Sequence, residues 1–368
     1  MRIAVDITVL EQATTGVARV VLGLYRACAR LDPTLDIVGI HRRPLACSLP
    51  ARFRDVVWGE WLPRRVWRLL GAPSYASLRR PNVFHFPWNG GIAPRLPHCL
   101  RVATIHDVIP LALPGMFFRT DEDRRRCQAT MQRSLDCADL VVTDSEASKR
   151  DILKHLNPRS EPVVIYPGTD FLDDLPTVEG QGQQNPGYYI YQGGYHFRKG
   201  LPELVRVHRG LFQRKKVTHP LILVGSPNHH IAPGFGADVE AGVREGAIVE
   251  KGYVSDDQLR RLTSEAIALI YPSHYEGFGM PVLEAMALGC PVISSNSSSL
   301  PEVGGDAALY VSPGDEAGLA EAIMKIENGD SLRDDLRKRG FVQASKFSWE
   351  ASASKYLKEL NKSIDAGG

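Results

Sequence analysis

The chain alternates short apolar runs, rich in valine and isoleucine, with longer amphipathic stretches along most of its length. The intervening stretches predict helices at Gly16–Arg30 and Glu122–Cys137, and a third helix that opens at a capping box near Thr143–Glu146 and runs to about Leu156. The short runs of the first half predict strands at Ile3–Ile7, Asp36–His41, Val83–Phe86, Val102–His106, Leu140–Thr143 and Val163–Tyr166.

The pattern breaks near the middle of the chain and then starts again. Pro167 to Asp170 interrupts it, and the polar segment 177–187, rich in glycine, glutamine and proline, predicts a linker. The second series predicts strands at Tyr188–Gln192, Leu221–Gly225, Ala247–Val249, Ile267–Tyr271 and Val292–Ser294. Its helices are expected from Pro202 to about Arg214, and at Asp256–Glu265 and Pro281–Leu288.

Strands that alternate with helices of ten to fifteen residues indicate an α/β fold with parallel sheets. The central break predicts two Rossmann-like, doubly wound domains, residues 1–168 and 169–345, and residues 346–368 form a last helix. Ligands of such sheets bind beyond the carboxyl ends of the strands. We therefore expect the two domains to face each other across a cleft that holds the working site.

Composition narrows the class of protein without identifying it. The chain of 368 residues is 43% hydrophobic and 23% charged, as soluble globular proteins are. Its net charge of +2 gives no general attraction to nucleic acid. No apolar run approaches the roughly 18–20 residues that span a bilayer, the N-terminus is not typical of a signal peptide, and the six cysteines form no Cys-x-x-Cys pair. These features predict a cytoplasmic protein with reduced cysteines.

The most informative segment runs from Glu276 to Pro291. Pro281 stands where a helix would begin, so the amides of Val282 and Leu283 are expected to point out of the helix start toward a bound anion. Flanking glycines let a ligand approach the backbone closely. On these grounds alone, the alternative is an ordinary strand–turn–helix with two solvated glutamates, Glu276 and Glu284.

This segment resembles the Glu-x7-Glu motif of the family 4 retaining glycosyltransferases, whose fold is called GT-B. The positions in register are Tyr271-Pro272-Ser273, Glu276-Gly277-Phe278-Gly279, Pro281, Glu284-Ala285, Gly289, Pro291-Val292 and Pro301-Glu302-Val303. The resemblance implies that Glu276 contacts the transferred sugar and that Glu284 binds the ribose of a nucleotide-diphosphate sugar. It also implies that the backbone after Glu276 holds sugar hydroxyls and phosphates, through Gly277, Phe278, Gly279, Met280, Val282 and Leu283.

Three further segments resemble the donor side of the same family. Arg198 and Lys199 stand in the strand-to-helix loop where the family carries its phosphate-binding cations. The match has one departure, because many members have an arginine directly after the first glycine, where this chain has Gly194. The turn at Val254 resembles the family's base-binding turn, and Gly16 its glycine turn near the donor phosphate.

The acceptor side is expected at His106-Asp107, which ends a strand of the first domain. A lone histidine is usually structural, but the family has a His-Asp pair near its acceptor site. Positioning the acceptor hydroxyl or handling its proton would both suit the neutral-range pKa of a histidine. Trp88 closes the preceding strand and is expected either to line the acceptor pocket or to be buried.

Residues 41–80 contain nine arginines against two carboxylates, a local charge of +7, with three interleaved tryptophans, Trp58, Trp61 and Trp67. Arginine together with tryptophan suits an anionic membrane surface or a lipid-pyrophosphate acceptor. The alternative is a solvated basic face with core tryptophans. The composition does not decide between the two.

The predicted activity is metal-independent hexosyl transfer with retention, in surface polysaccharide synthesis. Asp121-Glu122-Asp123 imitates an Asp-x-Asp metal motif, but it opens a charged helix, so neither a metal nor a cofactor is expected. The resemblance favours mannose or a deoxyhexose as the sugar, GDP over UDP as the nucleotide, and a saccharide or lipid-linked saccharide as the acceptor. Two alternatives are a GT-B epimerase or phosphorylase, and a non-enzymatic two-domain sugar-binding protein.

Overall fold

The computed structural model describes residues 1–11, 16–63, 66–89, 96, 98–169 and 187–367. Residues 177–186 of the expected linker, Thr14-Thr15 before the first helix, Arg64-Arg65 and Gly90-Gly91 lie outside the described residues. The chain forms two compact units, one of residues 1–168 with 347–368 and one of residues 169–346. Each unit is described by itself below.

The first unit is built on a seven-stranded sheet whose strands all pair in parallel. The strands are β1 Arg2–Asp6, β2 Asp36–His41, β3 Phe53–Val57, β4 Val83–Phe86, β5 Leu100–Thr104, β6 Leu140–Thr143 and β7 Val163–Val164. Their spatial order is β3-β2-β1-β4-β5-β6-β7. The order reverses between β1 and β4, which makes the carboxyl ends of these two strands the switch point where doubly wound sheets bind ligands.

The helices of the first half connect these strands. They are α1 Gly16–Leu31, α2 Ala72–Arg79, α3 Ile109–Ala112, α4 Pro114–Phe117, α5 Asp121–Cys137 and α6 Glu146–His155. A 3₁₀ turn at Thr8–Glu11 follows β1, and a π-helical turn at Trp67–Gly71 leads into α2. The α5 helix begins with three carboxylates behind the N-cap Thr120, so the interpretation of Asp121-Glu122-Asp123 as helix-start carboxylates is confirmed.

The second unit repeats the same plan with six parallel strands. They are β8 Tyr189–Gln192, β9 Leu221–Val224, β10 Ile248–Gly252, β11 Ala268–Tyr271, β12 Val292–Ser295 and β13 Ala308–Val311, in the order β10-β9-β8-β11-β12-β13. The helices are α7 Leu201–Gln213, α8 Phe235–Arg244, α9 Asp256–Ser264, α10 Met280–Ala287, α11 Leu300–Gly304, α12 Glu316–Glu327 and α13 Asp330–Ala344. Its switch point lies between β8 and β11.

The last helix, α14 Trp349–Gly367, belongs to the first unit, where it packs along α1. Its buried face joins the core through Trp349, Ala353, Tyr356 and Leu360. The contact with α1 is close, because a Cβ added to Gly23 would lie 2.2 Å from the Trp349 ring. The chain at Gly168 is equally confined, since its added Cβ would lie 2.2 Å from the Trp349 amide nitrogen.

The fold class is as the sequence predicts, two Rossmann-like units with parallel sheets. The pattern missed β3 and β13, which are both edge strands. In β3 only Phe53 is buried, so this strand carries almost no apolar signal. The expected cap of α6 near Thr143 is wrong, because Ser145 is the N-cap and its hydroxyl accepts the Ser148 amide. Among the described residues, none of the helices is both long and apolar enough to cross a bilayer.

We expect Gly23→Ala to lower the free energy of unfolding by about 1–3 kcal/mol, because the new methyl group overlaps the Trp349 ring. Urea denaturation followed by tryptophan fluorescence measures this change. Gly210→Ala is the matched control, since Gly210 also lies inside a helix but has open space at its Cβ. The control is expected to be neutral or to stabilise by up to about 1 kcal/mol. Equal behaviour of the two variants would contradict the proposed packing of α14 on α1.

Candidate functional site

The switch point of the second sheet carries a buried carboxylate, Glu276, with 7% of its surface exposed. Its Oε1 atom lies 2.9 Å from the Arg198 guanidinium and 2.7 Å from the Lys199 ammonium. The hydroxyls of Tyr271 and Ser273 donate to the same oxygen at 2.9 and 2.6 Å. Two cations and two hydroxyls therefore converge on one oxygen atom.

The charges in this cluster control its protonation. Burial alone would raise the pKa of the Glu276 carboxyl, but the adjacent charges of Lys199 and Arg198 outweigh it and lower the pKa to about 2. Glu276 is therefore an anion at neutral pH. The three groups together carry one surplus positive charge, which suits an anionic ligand.

The loop before α7 places both cations. It forms a 3₁₀ turn at Phe197–Lys199, and Gly200 ends the turn with a positive φ of 65°. Only glycine fits there, because an added Cβ would lie 2.3 Å from the Pro272 carbonyl oxygen. The Arg198 carbonyl accepts the His274 amide at 2.7 Å, so this loop is fixed to the one that follows β11.

A run of serines after β12 holds the Glu276 loop in place, and the sequence analysis missed it. The Glu276 amide donates to the Ser298 hydroxyl at 2.8 Å, and the Ser299 hydroxyl donates to the carbonyls of Glu276 and Phe278 at 3.0 and 2.7 Å. Ser297 likewise donates to the His274 carbonyl at 2.7 Å. The only sequence signal was the serine-rich run itself, directly after a strand that neighbours β11.

The start of α10 differs from expectation. The amides of Val282 and Leu283 both donate to the Gly279 carbonyl, at 3.0 and 3.3 Å, and both residues are fully buried. The expectation that these two amides point toward a ligand is therefore wrong: the N-cap Gly279, with φ of 113°, turns its carbonyl back onto them. Pro281 has no N–H group. Among the described residues of this first turn, the Met280 amide is therefore the one that a ligand can still bind.

Glu284 projects from the second turn of α10 and is 3% exposed. Its Oε2 atom accepts the side-chain amide of Gln192 at 2.5 Å, and Gln192 is the last residue of β8. The pair thus joins the end of β8 to α10, the helix that follows β11, at the switch point. Gln192 was missed by the sequence analysis, although its position at a strand end is a usable signal.

The predicted base-binding turn follows β10 at the same edge of the sheet. Val254 is half-buried there and is followed by Ser255, whose side chain and Gln258 form a capping box at the start of α9. Asp257 lies in the first turn of this helix. Gly16, in the first unit, is the exposed first residue of α1.

His106 lies just beyond β5 in the first unit and is 5% exposed. Its Nδ1 atom lies 2.6 Å from the Asp144 carboxylate, and its Nε2 atom lies 3.1 Å from the Pro87 carbonyl oxygen. Burial alone would lower the pKa of His106, but the negative charge of Asp144 raises it to about 9. The expectation of a neutral-range pKa is therefore wrong. A ring protonated on both nitrogens cannot take the proton of a saccharide hydroxyl.

Trp88 and Asp107 lie at the same edge of the first sheet. Trp88 is half-buried, and its indole N–H donates to the buried Asp6 carboxylate at 3.0 Å, across the switch point between β1 and β4. The Asp107 carboxylate accepts the Ile109 amide at 3.1 Å, at the start of α3. The Asn89 side chain accepts the His106 amide at 2.6 Å, which ties the two strand ends together. Asp6 and Asn89 were missed by the sequence analysis.

The tryptophans of the basic segment divide between the two interpretations. Trp67 is completely buried and Trp58 is half-buried, as core residues are. Trp61 is 80% exposed, and large apolar side chains around it in sequence are also exposed: Val57 50%, Leu69 49%, Leu70 62% and Leu78 69%. Arg54, Arg79 and Arg80 are exposed in the same segment. Within the described ranges, no three His, Cys, Asp or Glu side chains are placed to hold a metal ion.

Family models match both halves of the chain. The model described as glycosyl transferases group 1 matches residues 181–343, and the model of glycosyltransferase family 4 matches residues 14–171. The O-antigen chain mannosyltransferase B of Escherichia coli is 35% identical over 302 residues, which cover 78% of this chain and 74% of that protein. The O-antigen chain mannosyltransferase RfbU of Salmonella typhimurium is 32% identical over 287 residues, which cover 76% and 73%.

Solved structures share the fold over the whole chain. The sucrose-phosphate synthase of Thermosynechococcus elongatus superposes with a TM-score of 0.78 at 19% identity and covers 100% of both chains. WaaG, a glycosyltransferase of lipopolysaccharide biosynthesis, gives 0.75 at 15% identity, covering 97% and 99%. HepE of Anabaena, solved with UDP-glucose, gives 0.72 at 17% identity, covering 98% and 99%.

The His106–Asp144 pair predicts a pH-dependent contribution to stability. Since the folded-state pKa of His106 is raised, its contribution is complete below about pH 6.5 and is lost as the pH rises through about 9. The free energy of unfolding of the wild type is therefore expected to exceed that of His106→Gln by on the order of 1–3 kcal/mol near pH 6, and by much less at pH 10. Urea titrations between pH 6 and 10 measure this difference, with the exposed His230→Gln as control. A difference that does not change with pH would contradict the ion pair.

Proposed function

Because this chain belongs to the family 4 glycosyltransferases, we propose that it transfers a hexosyl group from a nucleoside diphosphate sugar to a saccharide or lipid-linked saccharide acceptor in surface polysaccharide synthesis. The observation that carries the proposal is the convergence of Lys199 and Arg198 on the buried Glu276 at a switch point. Mannose is the preferred sugar because two relatives are mannosyltransferases by name, and a deoxyhexose is the second choice.

The transfer proceeds with retention and without a metal ion. The bond between the anomeric carbon and the β-phosphate oxygen breaks, and the negative charge that develops on the diphosphate is stabilised by Lys199 and Arg198. The acceptor oxygen forms its bond on the same face of the sugar, and its proton passes to the departing diphosphate. Glu276 orients the sugar. The two cations supply the positive charge that a metal would otherwise provide.

The remaining donor contacts lie along the carboxyl edge of the second sheet. Glu284, held by Gln192, is proposed to accept hydrogen bonds from the ribose hydroxyls. The backbone of Gly277 to Met280 is proposed to bind sugar hydroxyls and phosphate, and the main chain near Val254 to bind the base. GDP is proposed over UDP as the nucleotide because the proposed sugar is mannose or a deoxyhexose. Titration of GDP and of UDP into the protein distinguishes the two.

The acceptor is proposed to lie against the first unit near Trp88 and Asp107. His106 acts there as a positioning residue, since its ring is engaged by Asp144 and Pro87 and its backbone by Asn89.

A GT-B epimerase or phosphorylase would behave differently from a transferase in one assay. A transferase releases nucleoside diphosphate faster when a saccharide acceptor is added.

The exposed apolar residues of segment 41–80 are proposed to contact an anionic membrane at the cytoplasmic face. Trp61, Leu70 and Leu78 offer apolar side chains that a membrane interface would accommodate, and nearby arginines complement anionic headgroups. Such contact would bring the enzyme to a lipid-linked acceptor.

Lys199→Ala is expected to slow both hexosyl transfer and hydrolysis of the donor by water by about a hundredfold or more, because the diphosphate loses an electrostatic partner. The rates are measured with GDP-mannose, with and without a mannoside acceptor, in buffer that contains EDTA. Lys325→Ala, an exposed lysine on α12, is the control and is expected to retain the wild-type rate. Unchanged turnover in Lys199→Ala, or a wild-type activity that needs added manganese or magnesium, would each refute part of the proposal.

Vesicle binding tests the membrane proposal. The wild type is expected to sediment with vesicles that contain phosphatidylglycerol, more weakly with pure phosphatidylcholine, and less at high salt. Trp61→Ser combined with Leu70→Ser is expected to weaken binding about tenfold or more, because less apolar area enters the interface. Leu153→Ser, an exposed leucine on α6, is the matched control. The proposal would be overturned if the wild-type protein sediments with neither kind of vesicle.

A further inference from the structure

The first unit contains an open cavity of about 520 Å³ to which no role has been assigned above. It lies at the carboxyl ends of β2 and β3, where His41 and Val57 are the last residues of their strands. Its size is within the range of small-molecule sites. The carboxyl edge of a doubly wound sheet is also where ligands bind.

The polar part of the cavity lining includes carboxylate side chains. Asp55 is held by the buried His41, whose Nε2 lies 3.1 Å from the Asp55 Oδ2 atom and whose Nδ1 lies 2.7 Å from the Arg43 carbonyl oxygen. The Asp55 side chain is 54% exposed, so the histidine fixes the carboxylate without covering it. Glu60 adds a second carboxylate to the lining.

Arg42, the one arginine among the described lining residues, does not make the cavity a phosphate site. Arg42 is 7% exposed, and its guanidinium donates to the Leu62 carbonyl oxygen at 2.8 Å and to the Glu11 carboxylate at 3.4 Å. Glu11 also accepts the Arg42 amide at 2.7 Å. The arginine charge is thus compensated, and Asp55 and Glu60 would repel a phosphate.

The rest of the lining is largely apolar and includes Pro44, Leu45, Leu49 and Val57. A lining that combines carboxylates, which accept hydrogen bonds, with apolar side chains matches a neutral sugar, whose hydroxyls donate and whose C–H face is apolar. A lipid tail would leave the carboxylates unsatisfied, and a nucleotide would bring repelled phosphates.

The cavity lies at a distance from the expected site of transfer in the first unit. Trp88 follows β4, which lies two strands from β2, and His106 follows β5, which lies three strands from β2. With a spacing of about 4.8 Å between neighbouring strands, the two residues are roughly 10–15 Å from the cavity along the edge of the sheet. This distance exceeds one sugar ring. A saccharide held here would be an inner residue of the acceptor and not the one that is glycosylated.

We propose that this cavity is a subsite for a neutral sugar residue of the acceptor saccharide, with Asp55 and Glu60 as specificity-determining residues and His41 as the residue that positions Asp55. The inference rests on the proposed function, because it assigns the acceptor side of that reaction. It gives the enzyme a preference for acceptors longer than one sugar.

Direct saccharide binding tests the subsite without depending on catalysis. The full chain is titrated with α-linked manno-oligosaccharides of one to four residues and is screened on an array of neutral glycans. The wild type is expected to bind oligosaccharides at least tenfold more tightly than the monosaccharide. Asp55→Asn and Glu60→Gln are each expected to weaken oligosaccharide binding about tenfold or more, while Glu122→Gln, an exposed glutamate on α5, does not.

A second variant guards against misfolding. Ser48 is an exposed residue of the cavity lining, so Ser48→Trp fills the cavity from its rim and is expected to block oligosaccharide binding with an unchanged melting temperature. Wild-type protein that binds no neutral glycan, variants that bind as the wild type does, or inorganic pyrophosphate that binds in the cavity would each overturn the subsite. Failure of the proposed function is separate, since it would appear as an absence of donor turnover.

Discussion

The ion cluster of Glu276 with Lys199 and Arg198 is the interaction on which the second unit's site depends. A buried carboxylate is strongly unfavourable unless it is paired, and two cations would repel each other without it. Each group therefore makes the position of the others tolerable. The cluster also joins the loop after β8 to the loop after β11. The two loops at the switch point are thus linked by ion pairs as well as by a backbone hydrogen bond. In the proposed reaction the negative charge of the diphosphate also pairs with the two cations and so competes with the Glu276 carboxylate for them.

The two units solve the same problem at their switch points with different chemistry. In the first unit, Asp6 takes the indole N–H of Trp88, and Asp144 pairs with a buried, protonated His106. Asp144 and His106 neutralise each other, and the Asp6 carboxylate is held by a neutral indole, so no positive charge is left over at this site. In the second unit the cluster of Glu276, Lys199 and Arg198 keeps one positive charge, which suits an anionic ligand. This difference in charge is consistent with the proposed roles of the first unit in binding the acceptor and of the second unit in binding the donor.

The sequence predicted the fold and the donor motif because both have local signals. Buried parallel strands such as Leu140–Thr143 are continuous apolar runs, and the turn at Glu276–Gly279 needs glycine at a positive φ. What it missed depends on contacts between distant positions. Gln192 meets Glu284 across 92 residues, and Ser298 caps the Glu276 amide from another strand end. The state of His106 was mispredicted for the same reason, since Asp144, the group that raises its pKa most, lies 38 residues away in the sequence.

Calorimetric titration of a nucleoside diphosphate into Glu276→Gln tests the central claim most directly. If Lys199 and Arg198 are the diphosphate partners and Glu276 competes for them, removing its charge should leave nucleoside diphosphate affinity equal to or tighter than that of the wild type. Hexosyl transfer by the same variant should fall by about a hundredfold or more, because the sugar is no longer oriented. Loss of nucleotide affinity in parallel with turnover, in a variant that melts like the wild type, would contradict the account.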